Sequence, residues 1–272
     1  MRYARWTVLG LAGLFFVLPL GASIEFSLRD KGNGHSFSAW RQMFDVPGFT
    51  DGLVTSLILA LGTMILVLAL MIPTVAWLHL RLPRWRRTVE TICILPLVIP
   101  PVALAISITG TFGADGVVGK QTPWFFTPIT LFGQQILPIL LLEYVVLALP
   151  FTYRTLDAGM SSISAATLVE AARNLGASWP TTLLRVIVPN LRTPILSAAI
   201  LGGAMVLGEL TLALLLFAPT FPVWTINAGA QADPKIGVAA SMLILLVSWI
   251  LLMMMSLLGS HRPNKLARRA AR

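Results

Sequence analysis

The chain has 272 residues, of which 56% are hydrophobic and 11% are charged, and its formal net charge is +9. Soluble domains carry about 25% charged residues, so this composition and the mean hydropathy of +0.82 exclude an ordinary water-soluble fold. A single cysteine excludes an intramolecular disulfide and a cysteine-cluster metal site, and the three histidines are too widely separated in sequence to predict a histidine metal site.

Long apolar stretches predict an all-α integral membrane protein. Each is near the roughly 20 residues that cross a bilayer as a helix, and there are six of them, at about 6–28, 53–79, 89–110, 129–151, 193–217 and 237–259. The first follows Arg2 and Arg5, as a secretory signal does. Its apolar core is long, however, and Gly21-Ala22-Ser23 is a poor cleavage site, so we interpret it as an uncleaved transmembrane helix.

The basic residues predict the orientation of these helices. With an even number of spans the two termini share one side, and that side collects 15 Lys and Arg residues against 5 on the other. Cytoplasmic loops carry the excess of basic residues, so both termini are expected in the cytoplasm. We interpret the basic tail, residues 260–272, as an anchor against anionic membrane lipid. Because the charge lies on membrane loops, it does not indicate a nucleic-acid partner.

The predicted outer loops, at about 29–52, 111–128 and 218–236, are rich in aromatic residues. Such residues commonly anchor a protein at the membrane interface, which we favour here over contact with a binding protein. The aromatic residues are Trp40, Phe44, Phe49, Trp124, Phe125, Phe126 and Trp224.

Prolines interrupt the third predicted span at Pro96, Pro100 and Pro101. Each removes a backbone donor and disturbs the preceding helical turn. Within a membrane this is tolerated where the freed carbonyls face protein or water. The prolines therefore indicate either a hinge that lines a solute path or a static kink, and the sequence leaves both open.

Two carboxylates fall inside predicted spans, Glu143 in the fourth and Glu209 in the fifth. An ionised side chain at the bilayer centre costs about 3 kcal/mol or more, so such residues usually face a cavity or a partner. They indicate either a polar translocation path, with a countercharge for a cation, or a structural hydrogen bond such as a protonated carboxyl held by Tyr144. Glu90, beside Arg86 and Arg87, predicts an interfacial ion pair.

A moderately polar island of about 40 residues separates the fourth and fifth spans. Its apolar side chains recur at helical spacing and predict one stripe, formed by Leu168, Ala171, Ala172 and Leu175. Gly176 lies where a helix C-cap needs a positive φ angle. Ser178 is placed to cap a second helix that runs to about Val188, before Pro189. The island therefore predicts a helix, a sharp turn and a helix that together dock a soluble partner.

The spacing of this island resembles the EAA loop of permease subunits in bacterial binding-protein-dependent ABC importers. The matching residues are Glu170, Ala171, Ala172, Gly176 and Pro189, with Val186 and Val188 as mild departures from Ile and Leu. Further landmarks resemble the spermidine/putrescine-type permeases: the proline run of the third span, Ala148-Leu149-Pro150-Phe151 before Arg154, and Gly208-Glu209.

The resemblance implies a type I ABC importer permease in the bacterial inner membrane. It implies three divisions: a first helix and outer loop at 1–52, a permease core at 53–259 with the EAA loop at about 157–189, and the tail at 260–272. It also implies ATPase subunits coupled through Glu170, Ala171, Ala172, Leu175, Gly176 and Pro189, a second permease (homologous or identical), and a solute-binding protein.

The sequence contains no phosphate-binding loop and no catalytic motif, so ATP and Mg are expected on the partner ATPase. We expect no cofactor on this chain and no enzyme activity of its own. The expected path residues are Glu143, Glu209, Pro100, Pro101 and Tyr144. The implied solute is a polyamine, with iron, phosphonate or thiamine as alternatives. An ion-gradient-driven transporter or channel is the rival class, although no inverted repeat is evident; a membrane scaffold is the third.

Overall fold

The computed structural model describes residues 2–29, 34–112 and 137–259, which are almost entirely helical. The helices are α1 (Arg2–Leu28), α2 (Ser38–Gln42), α3 (Phe49–Leu80), α4 (Arg86–Val98), α5 (Pro101–Phe112), α6 (Leu137–Ser162), α7 (Ala165–Asn174), α8 (Trp179–Thr182), α9 (Val188–Asn190), α10 (Arg192–Leu207), α11 (Thr211–Leu215), α12 (Phe221–Gln231) and α13 (Pro234–Gly259). A 3-10 turn, Pro83–Trp85, precedes α4, and a π-helical turn, Leu183–Ile187, joins α8 to α9.

Six membrane crossings are compatible with these helices. Within the described residues, α1, α3, α6 and α13 are long and apolar enough to cross alone, and two bent pairs supply up to two more. The first pair, α4 with α5, is bent by 90°, and the second, Trp179–Asn190 with α10, is bent by 76°. The all-α, multi-span fold class is confirmed.

Three predicted spans have different bounds in the structure. The third is not one rod, because the chain bends between α4 and α5. The fourth continues to Ser162, because the helix runs through Pro150 and Gly159 without a break, and its predicted start at 129–136 lies outside the described residues. The fifth ends early, because α10 stops at Leu207 and Gly208 begins a break.

The chain forms two compact units, residues 1–55 with 219–247 and residues 56–218 with 248–272. The first is organised around aromatic rings. Phe49, Phe221 and Trp224 pack with ring centroids 5.2–5.5 Å apart, and the Trp224 indole N–H donates to the Pro47 carbonyl at 2.9 Å. The expectation that Trp224 lies in a loop as an interfacial anchor was wrong, because it is buried and belongs to α12.

The other predicted loop aromatics differ in how far they are exposed. Phe49 is buried with Trp224, and the Trp40 indole N–H donates to the Ser27 hydroxyl at 3.1 Å, whereas Phe44 is 58% exposed. Among the predicted loop aromatics that the structure describes, only Phe44 therefore keeps the exposure that an interfacial anchor needs. Trp124, Phe125 and Phe126 lie outside the described residues.

The second unit holds the larger hydrophobic core, in which side chains from α3, α4, α6 and the segment after α6 are buried together. Small residues set the closest approaches. A Cβ added at Gly159 of α6 would collide with the Pro194 ring of α10, and one added at Gly202 of α10 would lie 2.8 Å from the Met64 methyl of α3. These glycines let α6, α10 and α3 pack closely. The fully buried members of the core include Val67, Val75, Leu156, Met160, Ile187 and Leu191.

Candidate functional site

The EAA segment, residues 165–190, begins with α7 and a tight turn at Gly176. Gly176 has a φ of +82°, and its N–H donates to the Arg173 carbonyl at 2.9 Å. The next N–H, of Ala177, donates to the Ala172 carbonyl at 3.0 Å, which closes the helix end. Glycine tolerates this left-handed backbone because it has no Cβ. The predicted glycine turn is confirmed, whereas the coupling role of Gly176 stays a prediction.

The second helical stretch begins as expected and ends later. The Ser178 hydroxyl accepts the Thr181 N–H at 3.4 Å, which confirms the predicted cap. The helical path then continues past Val188 to Asn190. The π-helical turn changes the hydrogen-bond register just before Pro189, so that proline lies in the first turn of α9, where its missing N–H costs least.

The buried face of α7 differs from the predicted stripe. Ala165 and Ala172 are buried and Val169 packs against the same core, so the inward face follows this spacing. By contrast Ala171 is exposed, and Leu175 is 88% exposed. The predicted apolar stripe is therefore only partly buried: Ala172 faces the core, whereas Ala171 and Leu175 face outward.

The physical reason is which side of α7 faces the core. That side runs through Ala165, Val169 and Ala172, so Leu175 lies beside it and not on it. Glu170 and Ala171 are exposed on that helix, and Leu184 of the following turn is 64% exposed. The EAA segment thus presents exposed apolar and charged side chains together on its outer surface, while its inner face is packed against the hydrophobic core.

The inner face joins the EAA segment to the membrane helices. Ile187 and Leu191 are fully buried, and they belong to the same hydrophobic cluster as Leu156 and Met160 of α6. Packed interiors transmit displacements because they contain few voids. The EAA segment is therefore packed against α6 through contiguous buried side chains.

A polar cluster beside this core was not predicted. The Asp157 carboxylate of α6 accepts from His79 Nε2 at 2.8 Å and from both Nε and Nη2 of Arg86, at 3.2 and 2.9 Å. The Tyr153 hydroxyl donates to the Arg86 carbonyl at 3.1 Å. The cluster therefore joins the end of α3 and the start of α4 to α6, next to a cleft of about 410 Å³ that also borders the first turn of α7.

Sequence reasoning missed this cluster because its members are far apart along the chain. Asp157 lies 71 residues from Arg86 and 78 residues from His79. The predicted ion pair of Glu90 with Arg86 or Arg87 is not formed among the described residues, and Arg86 turns to Asp157 instead. Two Asp157 oxygens facing one guanidinium make the stronger, charge-assisted arrangement.

The Glu209 side chain makes hydrogen bonds within the protein. Its carboxyl oxygens accept the Tyr144 hydroxyl at 3.0 Å, the Leu212 N–H at 3.0 Å and the Ala213 N–H at 3.4 Å. Glu209 therefore caps α11 and ties it to α6. The expectation that Glu209 lies within a continuous fifth helix was wrong, since Gly208 and Glu209 occupy the break after α10.

Glu143 is placed differently from its neighbour Tyr144. Tyr144 is buried, with 1% of its surface exposed, whereas Glu143 is half-buried and has no hydrogen-bond partner among the residues that the structure describes. The structure thus brings Tyr144 to Glu209 and leaves Glu143 apart from that pair. The path roles of all three residues stay predictions.

Pro100 and Pro101 form the bend of the third span. Ile99 is extended, as the residue before a proline prefers, and the Pro100 carbonyl accepts the Ala103 N–H at 2.9 Å to start α5. Pro101 is the first residue of α5, where a missing N–H is harmless. The prolines therefore divide the span into two separate helices rather than kinking one.

Residues 72–262 match the family model described as binding-protein-dependent transport system inner membrane component. The match covers more than half of the chain. The chain belongs to this family. It is thus a transport permease, a multi-pass inner-membrane component of an ABC importer.

The permease is similar to two relatives with named solutes. It is 31% identical over 161 residues to the molybdenum transport system permease protein ModB of Azotobacter vinelandii, covering 58% of this chain and 68% of that protein. It is 27% identical over 251 residues to the putative 2-aminoethylphosphonate transport system permease protein PhnV of Salmonella typhimurium, covering 90% of this chain and 88% of that protein. Neither relative is named for a polyamine.

A solved structure supports the fold. The permease superposes with a TM-score of 0.70 on a chain of a bacterial ABC transporter involved in the import of the acidic polysaccharide alginate, over 96% of both chains at 18% identity. At this identity the likeness concerns the fold alone, and that fold is the type I ABC importer permease fold.

Proposed function

We propose that this permease forms the translocation path of its importer and that the EAA segment receives the motion of a separate ATPase. The observation that carries this proposal is the division of α7 into a packed inner face and an exposed outer surface ending at Gly176. Glu170 and Leu175 are exposed there, while Ala172 is buried. A docking element needs both faces, one to bind the partner and one to transmit its movement.

The coupling follows from rigidity rather than from chemistry on this chain. ATP and Mg bind the partner ATPase, and closure of that ATPase carries the EAA segment with it. Because the inner face is packed into the core with α6, the membrane helices follow. The docking energy must differ between inward-open and outward-open states for this motion to drive transport. A solute-binding protein delivers the solute, and a second permease, identical or homologous, completes the path.

We infer an orientation with both termini and the EAA segment in the cytoplasm. The support is the bias of 15 basic residues against 5 across the predicted loops. The four basic residues of the EAA segment and its flanks, Arg154, Arg173, Arg185 and Arg192, contribute to that side. An ATPase that hydrolyses cellular ATP is reached only from there.

For the solute, we propose a small anion rather than a polyamine. Both relatives are named for a solute that carries an oxyanion group, since molybdenum dissolves as molybdate and 2-aminoethylphosphonate has a phosphonate beside its ammonium group. Of the two carboxylates that had favoured a cation, Glu209 already accepts hydrogen bonds from the Tyr144 hydroxyl and from the backbone of α11. It is therefore a poor countercharge for a passing polyamine.

The test is uptake into proteoliposomes that contain this permease with its ATPase, second permease and binding protein. Molybdate, 2-aminoethylphosphonate and spermidine are compared with and without ATP on the ATPase side. We expect ATP-dependent uptake of one of the anions. ATP-independent uptake driven by an imposed ion gradient would instead favour the rival transporter class.

The variant Glu143→Gln refines this test, because it removes a carboxyl charge and keeps the size of the side chain. For an anionic solute, uptake should equal or exceed that of the wild-type permease. For a cationic solute it should fall, since an unpaired cation loses a stabilising charge in a medium of low dielectric constant. If the variant lowers spermidine uptake and the uptake still depends on ATP, a polyamine becomes the better proposal for the solute.

A further inference from the structure

A cleft of about 410 Å³ in the second unit lies where two spanning helices end. It is bordered by the ends of α3 and α6, the start of α4 and the first turn of α7. His79 and Ser161, which line it, are each the last residue but one of a helix that is long enough to cross a membrane. Because such a helix spans the hydrocarbon layer, its end lies at the depth of the phospholipid headgroups.

The lining of this cleft combines polar and apolar side chains. The polar members contribute an imidazole, a guanidinium group and three hydroxyl groups, and they are His79, Arg86, Ser161, Ser164 and Thr167. The other members are apolar, Leu80 among them, and the Ser164 hydroxyl does not cap α7. A phospholipid has the same division at this depth, since its phosphate accepts hydrogen bonds and the adjoining acyl chains are apolar.

The Asp157 carboxylate uses only part of the Arg86 guanidinium group, which carries five N–H donors. Nε and Nη2 of Arg86 donate to Asp157 at 3.2 and 2.9 Å, and Nη2 also faces the Ser161 hydroxyl at 3.4 Å. Nη1 donates to no acceptor among the residues that the structure describes, and the side chain is 37% exposed. Arg86 can therefore bind Asp157 and a phosphate oxygen at the same time, both through charge-assisted hydrogen bonds.

The segment before Arg86 carries tryptophan and arginine side chains on its surface. Trp77 and Trp85 are each 58% exposed, and Arg81 and Arg84 are exposed as well. Neither of these two arginines has a carboxylate partner within the part of the chain that the structure describes. Tryptophan anchors helices at the membrane interface, and basic side chains beside it attract anionic lipid. The surroundings of the cleft therefore favour a lipid with a negative charge.

We propose that this cleft binds the headgroup of an anionic phospholipid, with the phosphate at Nη1 of Arg86 and at the hydroxyl groups of Ser161 and Ser164. The headgroup contacts both the start of α4 and the first turn of α7, so it holds the EAA segment against the membrane helices. A lipid fits this place better than a free phosphate does, because apolar side chains line the cleft and exposed tryptophans lie beside it. The assignment of the lipid to the leaflet on the ATPase side rests on the proposed function.

The test compares Ser161→Glu with Ser161→Gln as the matched control. The two new side chains have nearly the same size, and only the first places a carboxylate beside Arg86, where the lipid phosphate is expected. Ser161 is exposed, so the fold tolerates either side chain. The assembled importer in phosphatidylcholine nanodiscs receives a photoreactive phosphatidylglycerol or, as a control, a photoreactive phosphatidylcholine. After irradiation, mass spectrometry measures the labelling of peptides that cover residues 77–86 and 160–167.

We expect the phosphatidylglycerol derivative to label these peptides in the wild-type permease, and unlabelled phosphatidylglycerol to compete where inorganic phosphate does not. Ser161→Glu should lower this labelling about fivefold, the order that corresponds to losing the attraction of one basic side chain for anionic lipid. Ser161→Gln should retain the labelling. Added phosphatidylglycerol should raise the melting temperature of the wild-type and Ser161→Gln complexes more than that of Ser161→Glu, because a ligand stabilises the state that binds it.

Equal labelling of these peptides by the two lipid derivatives, or equal labelling of the two variants, would overturn the inference. Competition by inorganic phosphate would also overturn it, because the cleft would then be a site for a free anion. The failure of the proposed function is a separate result: the wild-type complex would show no solute-stimulated ATP hydrolysis, whatever lipid it binds.

Discussion

Replacing Gly176 tests whether the turn of the EAA segment must hold its left-handed conformation. Its φ is +82°, and a Cβ added there would meet no atom within 4 Å. A substitution therefore introduces backbone strain without a steric clash. The left-handed conformation costs an L-residue roughly 1–2 kcal/mol, less for asparagine and more for a β-branched residue. The balance between this turn and other conformations should thus shift about 5- to 30-fold in Gly176→Val.

The assay compares Gly176→Asn, Gly176→Ala and Gly176→Val in proteoliposomes that contain the assembled importer. Solute-stimulated ATP hydrolysis and uptake should decline in that order, while membrane insertion is unchanged. Gly34→Val is the control, because a Cβ there also meets open space but the backbone does not have a positive φ. If Gly176→Val couples as well as the wild-type permease does, the turn geometry is not needed and the reasoning fails.

Three further predictions concern the orientation, the polar cluster and the helix packing. In a chain without its native cysteine, Ser178→Cys should resist an impermeant thiol reagent in intact cells, whereas Phe44→Cys, which replaces a 58% exposed side chain, should react; labelling at 178 from outside would reverse the orientation. Asp157→Asn should lower the melting temperature and weaken coupling, since hydrogen bonds to a charged group contribute about 1.5–3 kcal/mol. Neutralising Arg87 should do neither, and equal effects of the two changes would show that the cluster around Asp157 has no special role. Gly159→Ala should destabilise the permease by about 1–3 kcal/mol, because the added methyl group meets the proline ring of α10; an unchanged melting temperature would contradict that packing.

The local features of the EAA segment were predictable from sequence because they depend on neighbouring residues. A glycine after a helix and a serine before one act within a few positions, so the turn at Gly176 and the cap at Ser178 were both correct. The stripe was less predictable. Several apolar residues of α7 are spaced to share a face, but which side of the helix turns to the core depends on packing against distant segments.

Contacts between distant segments were not predictable from one sequence. Nothing near Arg86 indicates that its partner is Asp157, and the nearby Glu90 was the natural choice. Glu209 is a second example. The apolar sequence around it marked it as a carboxylate within a predicted span, but its role as a helix cap follows from a break at Gly208 that hydropathy does not reveal. Hydropathy finds the apolar stretches and does not distinguish one straight helix from two joined at a bend.

The central claim, that the outer surface of the EAA segment docks on an ATPase, is tested most directly by photo-crosslinking from Leu175. A photoreactive amino acid replaces Leu175, which is 88% exposed, or in a control replaces Ala172, which is 9% exposed. Irradiation of the assembled importer in membranes should give an adduct from position 175 that mass spectrometry identifies as the nucleotide-binding ATPase, and little or none from position 172. An ATPase that copurifies but never crosslinks to position 175, or that crosslinks equally from both positions, would contradict the claim.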